Sequence, residues 1–297
     1  MNAVVVQHPN STSFRALPRI ATEVRRLQAD ALWITLSEDG ATGLQNCTPD
    51  LVREFHGLVD DLQCGRFGVA PLHYAVVQSA HPEYFSMGGD LRFFRDCIQR
   101  RDAVRLRAYS LRCLDLLLSW NGKLKDTSTS IALVQGRALG GGFEMALSTD
   151  YLIAEEHSSF GFPEIMFGLF PCTGAMGLLS ARIGARQAER MMTNKKIYSA
   201  VELYDMGLVD EICASGEGEL AVERFVANHS SRLKARLKVQ QSRHRHAPLD
   251  QAEGVRIVED WVETAMRLSA EELRTMDMLI MMQAREAAPP ARPAAFA

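Results

Sequence analysis

The stretch at 131–144, IALVQGRALGGGFE, constrains the fold more than any other part of the sequence. Its first four residues form a short apolar run, which is typical of a strand buried on both faces. Glycines follow, and the FEMAL segment after them favours a helix. A strand, a glycine turn and a helix together expose the unpaired N–H groups of the first helical turn, and glycine lets a ligand approach them closely. The stretch therefore predicts a binding site built from backbone amides.

The spacing of the glycines and the acidic residues near them indicate the chemistry of this site. Their spacing matches neither G-x-G-x-x-G nor a glycine loop that ends in Lys-Ser/Thr, so it does not favour a nucleotide site. Two carboxylates are present instead, Glu144 in the predicted helix and Glu164 further along the chain. A second glycine turn, FSMGGD at 85–90, follows a predicted strand at 74–78. Amides from two loops beside two carboxylates favour an oxyanion hole facing an acid/base pair, which suits enolate chemistry on a thioester.

Three motifs in this order resemble the crotonase (enoyl-CoA hydratase/isomerase) superfamily: FSMGGD, ALGGGFEMAL and FGFPEIMFGLFP. The resemblance covers roughly residues 30–285, the scale of a whole fold. It implies an α/β fold, a crotonase-like spiral of β-β-α units with a C-terminal all-helical part. It also implies Glu144 and Glu164 as the catalytic pair, and the backbone N–H groups of Met87 and Gly141 as the oxyanion hole.

Longer segments resemble the diffusible-signal-factor synthases, bacterial relatives within this superfamily: FSMGGDLRFF, PEIMFGLFPCTGAMGLL and WVETAMRLSAEELRTMDMLI. The segment PCTGAM at 171–176 departs from the proline and Gly-Gly run that is usual in ordinary hydratases. This resemblance implies dehydration of 3-hydroxyacyl-[acyl-carrier-protein] to a cis-2-enoyl thioester, and hydrolysis of that thioester to a free cis-2-unsaturated fatty acid. It places Trp261 and Leu279 in the acyl pocket, with core packing as the alternative. Gly88 and Gly140 are candidate substrate-binding positions, with turn formation as the alternative.

Other functions stay open at this point. One is an enoyl-CoA hydratase/isomerase of β-oxidation, and another is a non-catalytic crotonase-fold binding module. The presence of both glutamates favours hydratase or dehydratase chemistry, but which is the acid and which the base stays open. A Ser-His-Asp hydrolase is disfavoured because the chain lacks a G-x-S-x-G elbow. Cys172 has no evident basic partner to make it a thiolate nucleophile.

Composition and resemblance together predict the setting of the protein. The net charge of −3 gives no electrostatic footprint for nucleic acid, and no apolar run is long enough to span a bilayer. Six scattered cysteines without metal-ligand spacing, and no visible secretory signal, predict a cytoplasmic enzyme with reduced thiols and no metal or cofactor. The resemblance implies a homo-oligomer, trimer or hexamer, and in some synthases a regulatory sensor kinase. The basic stretch at 232–246 is either a solvated helix face or a dock for an acidic carrier protein or a CoA phosphate.

The pattern along the chain predicts four segments. Residues 1–28 are polar and predict a flexible N-terminal arm, and 29–215 form the crotonase core. Residues 216–286 form a C-terminal helical region, and the Ala/Pro-rich 287–297 predict a disordered tail. Within the core, residues 91–120 predict two amphipathic helices. Thr48 followed by Pro49 predicts a helix start, and Asp90 predicts a helix cap.

Overall fold

The computed structural model describes residues 8–68, 72–123 and 127–286, which contain eleven strands and eleven α-helices. The strands are β1 (Ser11–Ala16), β2 (Ile20–Arg26), β3 (Asp30–Leu36), β4 (Tyr74–Ser79), β5 (Tyr84–Ser86), β6 (Thr129–Val134), β7 (Arg137–Leu139), β8 (Tyr151–Glu155), β9 (Ser159–Gly161), β10 (Ile197–Ser199) and β11 (Glu211–Cys213). The helices are α1 (Pro49–Gln63), α2 (Leu91–Gln99), α3 (Ala103–Lys123), α4 (Gly141–Leu147), α5 (Ala175–Ile183), α6 (Ala185–Thr193), α7 (Ala200–Asp205), α8 (Gly218–Ser230), α9 (Leu233–His246), α10 (Gln251–Met266) and α11 (Ala270–Glu286). A 3₁₀ turn, Glu164–Phe167, lies between β9 and α5.

Two sheets organise the chain. The large sheet has the order β1-β2-β3-β4-β6-β8-β11, antiparallel from β1 to β3 and parallel from β3 onward. The small sheet has the order β10-β9-β7-β5. Because β5, β7 and β9 directly follow β4, β6 and β8, the repeating unit is a long strand, a short strand and a helix or helical turn. The predicted α/β spiral of β-β-α units is confirmed.

The pairing of β4 with β6 decides where the two glycine loops lie. The strands are parallel, with Tyr74 opposite Thr129 and Val77 opposite Ala132, so their carboxyl ends are level. The short strands β5 and β7, which lead into the two loops, are also parallel neighbours. Loops that follow adjacent parallel strands meet at one edge of a sheet, which is where α/β proteins place their ligands.

The hydrophobic core joins the sheet and the last helices. All six residues of β6 are buried, as expected for a central parallel strand covered on both faces. The same core cluster includes Val258, Trp261 and Ala265 of α10 and Met276 of α11. The described residues from 218 to 286 are mostly helical, as predicted, but α10 and α11 share the core of the sheet instead of building one of their own.

The prediction of a flexible arm over 1–28 is wrong for residues 11–26, which form the hairpin β1–β2 at one edge of the large sheet. Ile20 and Val24 are fully buried there. Charged residues in this segment suggested exposure, but Glu23 and Arg25 are buried and bond to each other. Pairing removes most of the cost of burying charge. Residues 1–7 and the predicted tail at 287–297 lie outside the described residues.

The local helix signals are confirmed. The Thr48 hydroxyl accepts a hydrogen bond from the Leu51 N–H at 3.2 Å, and Pro49 is the first residue of α1. The Asp90 carboxylate accepts from two N–H groups at the start of α2. The region 91–120 forms α2 and most of α3. Among the described helices, none combines the length and the apolar character needed to cross a bilayer.

On the α8 side of the large sheet, a histidine is buried between two tyrosines. His229 Nδ1 lies 3.0 Å from the Tyr74 hydroxyl, and its Nε2 lies 3.3 Å from the Tyr151 hydroxyl. Neutral imidazole has one donor and one acceptor nitrogen, so it can serve both hydroxyls, whereas imidazolium has no acceptor. Burial lowers the pKa of His229 to about 4.

This network makes the fold sensitive to acid. The pKa of His229 is lower in the folded state than the ordinary value of 6.5, so protonation favours unfolding as pH falls from 6.5 toward 4. We expect H229Q, whose amide stays neutral, to lack this part of the pH dependence. Free energies of unfolding from urea titrations across that range test this, and parallel pH curves for the two proteins would contradict it.

Candidate active site

The second glycine loop places a backbone amide and a carboxylate in the same small space. Gly140 precedes α4 with φ of 52° and ψ of −126°, a conformation that L side chains rarely adopt. A Cβ at this position would lie 2.3 Å from Oε1 of Glu164. Gly140 is therefore required both for the turn and for the approach of the glutamate. The next N–H group, that of Gly141, starts α4 and has no hydrogen-bond acceptor among the described residues.

The first glycine loop lies directly against the second. The chain turns at Gly88, whose φ is 87°. A Cβ on Gly88 would lie 2.6 Å from the carbonyl oxygen of Leu139 and 3.0 Å from the nitrogen of Gly141. Side chains are thus excluded where the loops touch. Both Gly88 and Gly140 are turn residues, and Gly140 also lines the cavity described below.

The assignment of Met87 to the oxyanion hole is wrong. Its N–H donates to the carbonyl oxygen of Gln45 at 2.7 Å, on the far side of the turn. The N–H of Gly89 has no acceptor among the described residues, and a Cβ on Gly141 would lie 3.7 Å from the Gly89 nitrogen. The two free amides that face each other are therefore those of Gly89 and Gly141. The turn at Gly88, with its positive φ, is what separates the directions of the Met87 and Gly89 N–H groups.

Glu144 is held as a hydrogen-bond acceptor in the cavity wall. It lies one turn into α4 and is 1% exposed. Oε1 accepts from the N–H groups of Thr173 and Ala175 at 2.9 Å each, and Oε2 accepts from the Thr173 hydroxyl at 2.6 Å. Burial raises the pKa of Glu144 above its ordinary value, and these hydrogen bonds oppose that rise. Thr173 was not predicted as a site residue; its only signal was the departure of PCTGAM from the usual Gly-Gly run.

Glu164 differs from Glu144 in its hydrogen bonding. It begins the 3₁₀ turn, and its Oε2 is buried with no hydrogen-bond partner among the described residues. Burial, and secondarily the negative charge of Glu144, raises the pKa of Glu164 to about 8. The donors around Glu144 thus favour its carboxylate form, whereas the burial of Glu164 without a donor at Oε2 favours its protonated form.

Both glutamates line one cavity of about 250 Å³. Gly89, Gly140 and Gly141 border the same space, so the free amides and the carboxyl groups face one ligand position. The remaining wall is mostly apolar. Trp261 and Leu279 lie in that wall, and Trp261 also packs edge-on against Phe94 at 5.1 Å between ring centroids. Their predicted contact with an acyl chain stays a prediction.

Three cysteines in the cavity wall, Cys47, Cys113 and Cys172, are not activated. Burial raises the pKa of the Cys47 thiol to about 11 and that of Cys172 well above its usual range. A thiolate nucleophile is thus disfavoured at neutral pH. In the described part of the chain, no group of three or more His, Cys, Asp or Glu side chains could bind a metal ion.

The basic helix α9 lies away from the glycine loops. Gln240 of α9 bonds to Ser128 and Thr129, where β6 begins, whereas Gly140 and Gly141 follow the end of β6. The six residues of β6 span about 20 Å, and β7 follows β6 before the chain reaches Gly140. Arg243 and His244 each lie 2.7 Å from Asp150. These contacts indicate a helix that is anchored to the sheet. They do not favour the alternative in which α9 binds an acidic carrier protein or a CoA phosphate at the cavity.

Known proteins are similar to this chain in sequence or in fold. Methylglutaconyl-CoA hydratase 1 of Pyricularia oryzae is 28% identical over 216 residues, which cover 69% of this chain and 58% of that protein. The chain thus spans less than two thirds of that relative's length. An enoyl-CoA hydratase from Bacillus halodurans superposes with a TM-score of 0.70 at 24% identity, covering 88% of this chain and 99% of that one. Pseudomonas aeruginosa DspI superposes with a TM-score of 0.65 at 24% identity, covering 90% and 98%.

These two structures are similar to this chain in fold. The family assignment has a separate basis, because a contiguous segment of the sequence, residues 70–246, matches the enoyl-CoA hydratase/isomerase family itself. That segment is more than half of the chain and contains both glycine loops and both glutamates. The chain therefore belongs to the enoyl-CoA hydratase/isomerase, or crotonase, family.

Proposed function

We propose that the protein adds water to, or removes water from, an acyl thioester, interconverting 2-enoyl and 3-hydroxyacyl groups. The observation that carries this proposal is the pair of buried carboxyl groups, Glu144 with three hydrogen-bond donors and Glu164 with none at Oε2 among the described residues, beside two free amides. Water addition to a C=C bond next to a carbonyl needs one group to give a proton to carbon and another to take a proton from water. A pair with a single proton supplies both at once.

The two amides serve the thioester carbonyl. When a proton leaves or joins C2, negative charge develops on the carbonyl oxygen. The N–H groups of Gly89 and Gly141 donate to that oxygen, and because they have no acceptor to give up first, they are free to do so. A donor of this kind contributes about 10²–10³ in rate.

The unequal hydrogen bonding of the two carboxyl groups supports separate roles for them. In water addition, Glu164 gives its proton to C2, while Glu144 takes a proton from the attacking water, whose oxygen bonds to C3. In elimination the steps reverse: Glu164 takes the C2 proton, the C3–O bond breaks, and Glu144 protonates the departing hydroxyl to give water. Both directions need the pair to hold exactly one proton, because they follow the same path.

The finer proposal is a diffusible-signal-factor synthase acting on 3-hydroxyacyl-[acyl-carrier-protein]. Its support is the motif resemblance and the Thr173 contact to Glu144, which arises where ordinary hydratases carry glycines. After elimination, water activated by a glutamate attacks the thioester carbon, the free amides hold the tetrahedral oxyanion, and the C–S bond breaks to give thiol and free acid. A cytoplasmic homo-oligomer, with a sensor kinase as regulator, belongs to the same proposal.

A second candidate is an enoyl-CoA hydratase that leaves its product on coenzyme A. The relative from Pyricularia oryzae is named as a hydratase of a CoA thioester, and this favours the second candidate. The same cavity serves both reactions, so the carrier and the fate of the thioester distinguish them.

Product analysis separates these candidates. We expect purified protein given 3-hydroxydodecanoyl carrier protein to release free cis-2-enoic acid, detected by mass spectrometry. E144A and E164A should each lower the rate by about 10²–10⁴, since each removes an acid/base group. E189A, which removes an exposed glutamate of α6, is the matched control and should keep full activity. An enoyl group that stays on its thioester, or turnover of the CoA substrate alone, would favour the hydratase; no product from either would favour a binding module.

The shared proton predicts an alkaline limit to activity. As pH rises through about 8, Glu164 loses its proton and the pair can no longer give one and take one. We expect kcat/KM to fall through that region in both directions of the reaction. A pH–rate profile measures this fall, and a rate that stays level well above that pH would contradict the assignment of the proton to Glu164.

The contact between Gly140 and Glu164 predicts an effect specific to one glycine. In G140A the new methyl group must displace the Glu164 carboxyl, and we expect about a 10²-fold loss of kcat. G184A is the matched control, because Gly184 also has a positive φ, 79°, but open space around its Cβ position. Both changes should destabilise the fold by about 1–2 kcal/mol. Equal activity of the two variants would contradict the role given to Gly140.

A further inference from the structure

The first glycine loop is backed by the segment 45–47. The Met87 N–H donates to the carbonyl oxygen of Gln45 at 2.7 Å, and the Cys47 N–H donates to the carbonyl oxygen of Gly88 at 2.8 Å. Cys47 and Gly89 are paired as an isolated parallel bridge. The position of the Gly89 amide therefore depends on where the segment 45–47 lies.

That segment has few side-chain anchors of its own. Both polar atoms of the Gln45 side chain, and Oδ1 of Asn46, are buried without a partner among the described residues. The hydroxyl of Tyr109 donates to the carbonyl oxygen of Cys47. Cys47 Sγ lies 3.9 Å from the Ser86 hydroxyl. The other hydrogen bonds described for this segment reach its backbone from elsewhere in the fold.

The main external group is Arg19, from the turn between β1 and β2. Its guanidinium is buried and donates in three directions: Nη1 to the Thr48 hydroxyl at 2.9 Å, Nη2 to the Asn46 carbonyl at 3.3 Å and Nε to the Ser37 carbonyl at 3.1 Å. The planar guanidinium thus ties the end of β3 to both sides of Cys47. A rigid fork of this kind fixes distances that a single ammonium group cannot.

We propose that Arg19 is a positioning residue, through which the N-terminal hairpin sets the place of the Gly89 amide in the oxyanion hole. The relay runs from the Arg19 guanidinium to the backbone at 46–48, from there to Met87 and Gly88, and so to the Gly89 N–H. It rests on the proposed function only in assigning that amide a role in the reaction. A shift of about 1 Å in such a group costs about 10²-fold in rate.

The hairpin offers a matched control in Arg25. Arg25 is also a buried arginine, but it bonds to Glu23 and, at 2.8 Å, to Glu219 of α8, and its guanidinium lies 3.8 Å from the ring centroid of Trp33. These partners lie on β2, β3 and α8, away from residues 45–48. Loss of either arginine leaves buried acceptors unpaired and lowers stability, but only Arg19 contacts the segment behind the loop.

The first test is kinetic and compares R19Q, R19K and R25Q on 3-hydroxydodecanoyl carrier protein, or on 3-hydroxydodecanoyl-CoA if the wild-type protein turns over only the CoA thioester. We expect R19Q to lower kcat about 10–100-fold with KM within about twofold of wild type, since the amide acts on the transition state more than on the bound substrate. The kcat of R19K should lie between those of R19Q and the wild type. At temperatures below its own melting temperature, R25Q should have the wild-type kcat. Equal kcat losses in R19Q and R25Q would overturn the proposal. If R19Q does not fold, the comparison of R19K with R25Q decides in the same way.

The second test is hydrogen exchange followed by mass spectrometry, which needs no substrate. The amides of Cys47 and Met87 form the two backbone hydrogen bonds between the segment 45–47 and the first glycine loop, so their exchange rates report those bonds directly. We expect R19Q or R19K, and not R25Q, to speed exchange in the peptides that cover 44–48 and 84–89. Unchanged exchange there would overturn the relay even if activity falls. A wild-type protein that turns over no thioester would count against the proposed function, while the exchange result would still decide whether Arg19 positions the loop.

Discussion

Two carboxyl groups buried in one apolar cavity are the constraint on which this site depends. Burying a charge without compensation costs far more than the whole stability of a domain can offset, so each group needs either hydrogen-bond donors or a proton. Glu144 receives three donors from Thr173 and Ala175. Glu164 receives none at Oε2 from the described residues, and its pKa rises to about 8. The unequal supply of donors gives two chemically identical side chains different environments, and this supports the proposed roles of Glu164 as acid and Glu144 as base in water addition.

The two glycine loops depend on close contacts that leave no room for a side chain. Gly88 touches the backbone of the second loop, and Gly140 touches Glu164, so any side chain at either point would push the free amides or the carboxyl group away. The parallel pairing of β4 with β6 brings the loops together. The N-terminal hairpin, through Arg19 and the segment 45–48, then supports one of them from behind. Elements far apart in the chain thus contribute to one pair of N–H groups.

Local signals predicted much of this correctly. The glycine motifs and the caps at Thr48 and Asp90 act over a few residues, so a short stretch of sequence carries all the information. The structure likewise brings Glu144, Glu164 and Gly141 to one cavity, where they were expected to act together. Met87 was assigned wrongly because the acceptor of its N–H, Gln45, belongs to another segment. The contact of Thr173 with Glu144 was missed because the departure of PCTGAM from the usual Gly-Gly run does not show what the threonine hydroxyl bonds to.

The sequence by itself determined the α/β class, the two glycine turns and the identity of the two acidic residues, because backbone conformation and helix capping are properties of neighbouring residues. Only the tertiary structure decided which amides are free, which glutamate receives hydrogen-bond donors and that residues 11–26 belong to the sheet. Each of these depends on burial and on hydrogen-bond partners from distant segments. Desolvation is a property of the packed molecule, and no single stretch of sequence contains it.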